Sequence, residues 1–173
     1  MIERVLLPVD GSALSESALA MATEVLTGPR REIELIRVVP SVLQGVVSFA
    51  AIGAAPMLGP EWDDSQEEQV SEARAYLESV ARRLPRDIRV RTAVRLGDPA
   101  GEIVMRAREG AFHLIVMSTH GRTGLGRWVM GSVADSVVHH TAVPVLLVHP
   151  AADRGLIELE KSSRPIAHVE PGR

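Results

Sequence analysis

Leu114-Ile115-Val116-Met117-Ser118-Thr119-His120-Gly121, followed after nine residues by Gly131-Ser132, a helical stretch and Val145-Leu146-Leu147-Val148, is the part of the chain that decides the fold. An apolar run that breaks into glycines and then opens a helix is how phosphate sites are built. Glycines let backbone N–H groups approach oxygen anions, and the helix start adds unpaired donors and about half a unit of positive charge. The stretch reads as a nucleotide-binding loop.

Working outward, similar strand-to-helix steps recur. Val5-Leu6-Leu7-Pro8-Val9 is a short apolar run, the pattern of a parallel strand covered on both faces, and it ends in Asp10-Gly11-Ser12. Ser12 suits the cap of a helix whose stripe would be Leu14, Ala18, Met21 and Val25, stopped by Gly28-Pro29. Ile33 to Val39 forms a second strand. From Glu61 a helical stripe of Val70, Ala73, Leu77, Val80 and Leu84 predicts an amphipathic helix, with Asp63, Asp64, Glu67 and Glu68 in its early turns. Ile88, Val90, Thr92 and Val94 alternate with Arg89, Arg91 and Ala93, which predicts a strand near a sheet edge. Gly97-Asp98-Pro99 opens the next helix, with Asp98 as cap, Pro99 at the first position and Ile103, Val104 and Ala107 turned inward.

Five alternations of strand and helix predict one α/β domain over residues 1–150, a doubly wound five-stranded parallel sheet. Such sheets bind ligands beyond the carboxyl ends of their strands, where the winding reverses. Two strand ends carry the chemistry: Pro8-Val9-Asp10-Gly11 after the first, and Met117-Ser118-Thr119-His120-Gly121 after the fourth. Side by side they would form one pocket.

Composition narrows the ligand. With 173 residues, 46% of them hydrophobic, the chain suits a single core, and its formal charge of -3 gives no general attraction for phosphate backbones or anionic lipid. Neither nucleic acid nor a membrane is expected as a partner. Trp62 and Trp128, within 3% aromatic content, are too few for base-stacking platforms. Cysteine is absent, which removes thiolate metal sites and fits a cytoplasmic location. The segment from Val38 to Pro60 has no charged residue, yet Pro40, Pro56, Pro60, Gly45, Gly53 and Gly59 interrupt it, so it is expected as a loop rather than a membrane span. The six histidines, among them His113, His139, His140 and His149, show no metal-ligand spacing.

The spacing Ser118-x2-Gly121-x9-Gly131-Ser132, with Pro144-Val145-Leu146-Leu147-Val148 after it, closely resembles the ATP-binding signature of the universal stress protein family. Leu6 to Ser12, Gly97-Asp98-Pro99-Ala100 and Thr119 to Leu125 sit where that family has similar segments, so the resemblance spans nearly the whole domain. It implies a Rossmann-like fold of the adenine nucleotide alpha hydrolase kind with strand order 3-2-1-4-5. It implies ATP, or ADP or AMP, as ligand: Pro8 and Val38 beside the adenine, Asp10 facing the ribose or a Mg²⁺ ion, and Ser118, Gly121, Gly131 and Ser132 around the phosphates. Val9, Met117, Thr119, His120, Arg122 and Val133 complete the implied binding set. The family usually has glycine where this chain has Ser118, which makes a close backbone approach less available there and leaves a hydroxyl as donor. The resemblance also implies a homodimer through the last strand, Val143 to His149. Pro144 and the apolar run beside it fit an edge that a second copy covers.

Several residues keep a second role at this stage. Gly121, Gly124 and Gly126 serve either the phosphates or a flexible turn. Ser132 with Asp135 three residues on reads as a capping pair, with phosphate contact as an added duty. Asp10 either stabilises its own turn or meets a ligand or metal, and Arg122 and Arg127 either clamp phosphates or stay solvated. The loop lacks the Gly-Lys-Ser/Thr ending of a Walker sequence, and the one lysine, Lys161, lies in the tail. A regulator acting through its bound or empty state is therefore expected. The alternative is a slow ATP-hydrolysing or adenylyl-transferring enzyme on the same architecture. A phospho-receiver domain would need an acidic pair after the first strand, where Asp10 stands alone. Residues 151–173 mix charges, glycine and proline with Leu156, Ile157 and Leu159, a tail that is either flexible or docks on a neighbour.

Overall fold

The computed structural model describes residues 1–41, 61–119 and 131–149. The uncharged loop, the glycine-rich stretch from His120 onward, the tail and the side chains of residues 61–64 lie outside them. Five strands, β1 (Arg4–Pro8), β2 (Glu32–Val39), β3 (Arg89–Leu96), β4 (Leu114–Ser118) and β5 (Val145–Val148), pair in parallel in the order β3-β2-β1-β4-β5. The winding therefore reverses between β1 and β4, the order that the family resemblance implies.

Helices cover both faces. Strand periodicity sends Val5, Leu7, Leu35 and Val116 to one face, under α2 (Ala18–Glu24) and α3 (Glu61–Ala81), whose Ala73, Leu77 and Val80 are fully buried. Leu6, Ile36, Ile115 and Met117 go to the other, under α4 (Pro99–Glu109) and α5 (Ser132–His140). The Arg89–Leu96 strand lies at the sheet edge, as its alternation predicts.

The first helix departs from the expected stripe. It is split into α1 (Ala13–Glu16) and α2 around Ser17, and the buried positions are Ser15, Ala18, Ala22 and Leu26 rather than Leu14, Met21 and Val25. Two alanines and a serine let the helix lie close on the sheet, and the larger Leu14 is left facing the strand ends.

The crevice at the reversal has a local cause. The Val9 amide donates to the Ile36 carbonyl at 2.9 Å, toward β2. Successive amides in a strand point to opposite sides, so the Pro8 nitrogen faces β4, and it carries no hydrogen. Pairing of β1 with β4 accordingly covers only Val5 and Leu6, whereas pairing with β2 continues to Pro8. Above Leu6 the two central strands part.

Candidate functional site

That opening is a cavity of about 250 Å³ at the carboxyl ends of the strands. From β1 and its turn come Pro8, Val9 and Asp10; from β2, Val38; from β4, Met117 and Ser118; from the start of α5, Gly131, Ser132 and Val133. These residues, distant in sequence, meet because all three strands and the helix end at the same level. Thr119 does not join the described lining: its amide donates to the Val148 carbonyl at 2.9 Å, and its hydroxyl lies 3.3 Å from His149 Nδ1. His120, Gly121 and Arg122 lie outside the described residues.

The sequence reading missed Ser12, Leu14, Ser15, Ile36, Pro99 and Ile103, which also line the cavity. Ile36, Val38, Ile103 and Met117 give it an apolar floor, suited to a flat base. Leu14, assigned above to a core stripe, is a wall of the cavity instead.

Asp10 belongs to a tight hydrogen-bonded turn. Its carboxylate accepts from the Ser12 amide at 2.9 Å, and its own amide donates to Ser15 Oγ at 3.2 Å. Ser12 Oγ accepts from the Ser15 amide at 3.0 Å and caps α1. Partial burial alone would raise the Asp10 carboxyl, but the hydrogen bonds from Ser12 and Ser15 outweigh it and hold the group below the usual carboxylate range. Asp10 is thus an anion across neutral pH, placed in the cavity lining where a ligand hydroxyl or a cation could meet it. Gly11 follows at φ +92°, a conformation that a side chain would strain.

The start of α5 overturns one expectation. Gly131, not Ser132, is the N-cap, and among the described residues no side chain accepts a hydrogen bond from the first amides; Ser132 is the first helical residue. The Ser132/Asp135 pair therefore does not form a capping box. Amides left without a side-chain acceptor at a helix start are donors for an external anion, strengthened by the helix dipole. The other cavity-lining helices are satisfied: Ser12 caps α1, and Asp98 caps α4 by accepting from the Gly101 amide at 2.7 Å.

These features fit a nucleotide: an apolar floor for the base, a carboxylate for ribose hydroxyls or a cation, and bare helix amides for phosphate. Among the described residues no cluster of three or more His, Cys, Asp or Glu side chains could hold a metal ion. A Mg²⁺ ion here would take Asp10 together with phosphate oxygens, which is how Mg²⁺ is usually bound beside nucleotides. No helix of the described residues is long and apolar enough to cross a membrane.

Comparison with known proteins bears on this geometry. The model of the universal stress protein family matches residues 1–149. The chain is 29% identical over 148 residues to universal stress protein MJ0531 of Methanocaldococcus jannaschii, covering 86% of this chain and 82% of that one. It is also 29% identical over 146 residues to a universal stress protein of Mycolicibacterium smegmatis, covering 84% of this chain and 45% of the other, so it spans about half the length of that relative. Among solved structures, MJ0577 of M. jannaschii superposes with a TM-score of 0.68 at 26% identity, covering 86% of this chain and 96% of that one. Two further universal stress proteins, one from Arabidopsis thaliana with AMP bound and one in complex with cAMP, share the fold at 18% identity with TM-scores of 0.59 and 0.58. They cover 87% of this chain and 94% and 98% of their own.

Proposed function

We propose, from the premise that this chain belongs to the universal stress protein family, that it binds an adenine nucleotide in the β1/β4 crevice and acts as a regulator through its bound or empty state. The observation that carries the reading is the convergence, in one cavity, of the uncapped α5 start, the ionised Asp10 and the apolar floor. Family relatives bound to AMP and to cAMP support the ligand class. ATP is the ligand this reading names, with ADP or AMP as its alternatives.

In the bound state the base lies against Val38, Ile36 and Met117, with Pro8 at its border. Asp10 holds the ribose or, with the phosphates, a Mg²⁺ ion. The phosphates meet the amides of Gly131, Ser132 and Val133 and the Ser118 hydroxyl. Val9 shapes the wall, and His120, Gly121 and Arg122 are assigned to the phosphate side, whereas Thr119, engaged with Val148 and His149, would anchor the start of that loop. The protein works in the cytoplasm as a homodimer joined along Val143 to His149: β5 is an edge strand of four apolar residues, each only partly buried, whose outer side a second copy would cover.

Mass spectrometry of small molecules released by denaturing the purified protein, followed by titration calorimetry with ATP, ADP and AMP plus Mg²⁺, tests the reading. Heat with at least one adenylate supports it. No heat with any of them at millimolar concentration refutes it. Steady release of phosphate or pyrophosphate that Asp10→Ala abolishes would favour the slow enzyme instead, and a monomeric mass in solution scattering would remove the dimer.

A further inference from the structure

Beside the Asp10 turn, and not among the residues that line the cavity, lies a cation that the proposed nucleotide contacts do not use. Arg37 of β2 is half-buried, and its guanidinium carbon sits 5.0 Å from the ring centroid of Tyr76 on α3. The same guanidinium lies beside Gly11: its atoms are 3.6 to 3.7 Å from where a Cβ on that residue would be, so a side chain there would meet it at once. No carboxylate pairs with Arg37 among the described residues. The segment that follows β2, from Val38 to Pro60, contains no acidic residue to supply one. Glu16 is the nearby acid on the first helix, and it is already committed: it accepts from Tyr76 Oη at 2.9 Å and from Arg83 Nη2 at 2.8 Å.

These contacts close a ring. The chain runs from Gly11 through Ser12 to Glu16 within a few residues; Glu16 holds Tyr76, Tyr76 holds Arg37 by a cation–π contact, and Arg37 returns to Gly11. The hydrogen bonds among Asp10, Ser12 and Ser15 tie the turn to its own helix start, and none of them ties Gly11, at positive φ, to the sheet. The Arg37 side chain adds a support from the neighbouring strand.

We propose that Arg37 is a positioning residue for the nucleotide site: braced by Tyr76 and Glu16, its guanidinium supports the Asp10-Gly11-Ser12 turn and so fixes the direction in which Asp10 meets the ligand. The binding part of this proposal rests on the adenine-nucleotide reading above; the brace itself does not. A guanidinium used this way is not consumed by an ion pair, and a Lys ammonium could partly replace it over the same ring.

Two readouts separate the proposal from that reading. In amide hydrogen exchange without ligand, Arg37→Ala is expected to speed exchange at Gly11 and Ser12 about ten-fold or more, with amides of β4 unchanged. In calorimetry with Mg²⁺ and ATP, Arg37→Ala is expected to bind about ten-fold more weakly, and Arg37→Lys within about three-fold of the wild type. Arg37→Gln, which keeps the side-chain length without the charge, serves if the alanine variant fails to fold, and is expected to behave like it. Unchanged exchange at Gly11 and Ser12 in a folded Arg37 variant overturns the brace, whatever the nucleotide result. Faster exchange with wild-type ATP affinity overturns the positioning role, whereas a wild-type protein silent toward every adenylate, with the exchange effect present, refutes the nucleotide reading and leaves the brace standing.

Discussion

Glu34 and Arg106 form a two-pronged ion pair across the interface between the sheet and α4, Nε to Oε1 at 2.5 Å and Nη2 to Oε2 at 2.7 Å. The Glu34 side chain is 3% exposed, so its charge is withdrawn from water and met almost entirely by the guanidinium, which is itself held protonated by that carboxylate. One helical turn nearer the strand ends, α4 presents Ile103 to the cavity, and Pro99 starts the helix at its rim. The pair thus sets how α4 sits on the sheet and, with it, one wall of the candidate site.

Breaking this pair from one side should be costly. Arg106→Ala strands a buried carboxylate, and a loss of about 3 to 5 kcal/mol is expected in urea unfolding. Replacing both partners by methionine removes the stranded charge, and that double variant should be markedly more stable than Arg106→Ala. Equal stability of the single and double variants would show that the carboxylate is not electrostatically dependent on Arg106.

Tyr76 offers a spectroscopic check, because it is the chain's one tyrosine. Burial and the hydrogen bond it donates to the Glu16 carboxylate push its phenol up to about 12. A folded-state value above the unfolded one of about 10 means that Tyr76 contributes stability fully present below pH about 10 and lost as the pH rises through about 12. Absorbance titration should place the tyrosinate transition near the upper value in the wild type and shift it downward in Glu16→Ala. A transition at the ordinary position in both proteins would refute the contact.

Much of this architecture is legible in the chain, and the exceptions share a cause. Val5 to Val9 and Leu114 to Met117 read as buried parallel strands because both faces of such strands are apolar, whereas the order in which they pair comes from the family resemblance. Glu34 is not legible in this way: a glutamate within a strand signals a wet face, and only α4, contributed seventy-two positions later, brings the guanidinium that buries it. The same holds for Leu14, whose helical spacing suits a core stripe until the close seating of Ala18 and Ala22 turns it toward the cavity. Asp98 and Ser132 mark the limit of local signals. Both precede good capping geometry in sequence, yet Asp98 caps its helix and Ser132 falls one residue inside its own.

Asp10 makes a prediction about pH. Its carboxyl is held below the ordinary value of about 3.9, so its contribution to stability is present above that value and is lost as the pH falls through the lower, folded-state one. Because the group is exposed, the effect on stability is small and the effect on ligand is the better readout. Asp10→Asn keeps the shape and an acceptor oxygen but removes the charge; about ten-fold weaker binding of Mg²⁺ with ATP is expected at neutral pH. Wild-type affinity should hold down to about pH 5, where the carboxylate is still ionised. An affinity unaffected by Asp10→Asn would exclude Asp10 from the ligand contacts.

Gly131 sets stability against function in opposite directions. Its backbone is extended, φ -60° and ψ 147°, a conformation open to any residue, so a side chain can be added without backbone strain. Gly131→Asp places a carboxylate at the N-cap of α5, where it can accept from the first amides and meet the positive end of the helix dipole. A gain of a few tenths to about 1 kcal/mol in unfolding free energy follows from capping and dipole together. The same carboxylate occupies the donors assigned to phosphate and repels it, so affinity for ATP should fall by about ten-fold or more, with adenosine, which carries no phosphate, affected far less. Thermal unfolding and calorimetry on the one variant measure both. A protein that gains stability and keeps its ATP affinity would mean that the phosphates lie elsewhere, and that the bare start of α5 is not the anion site.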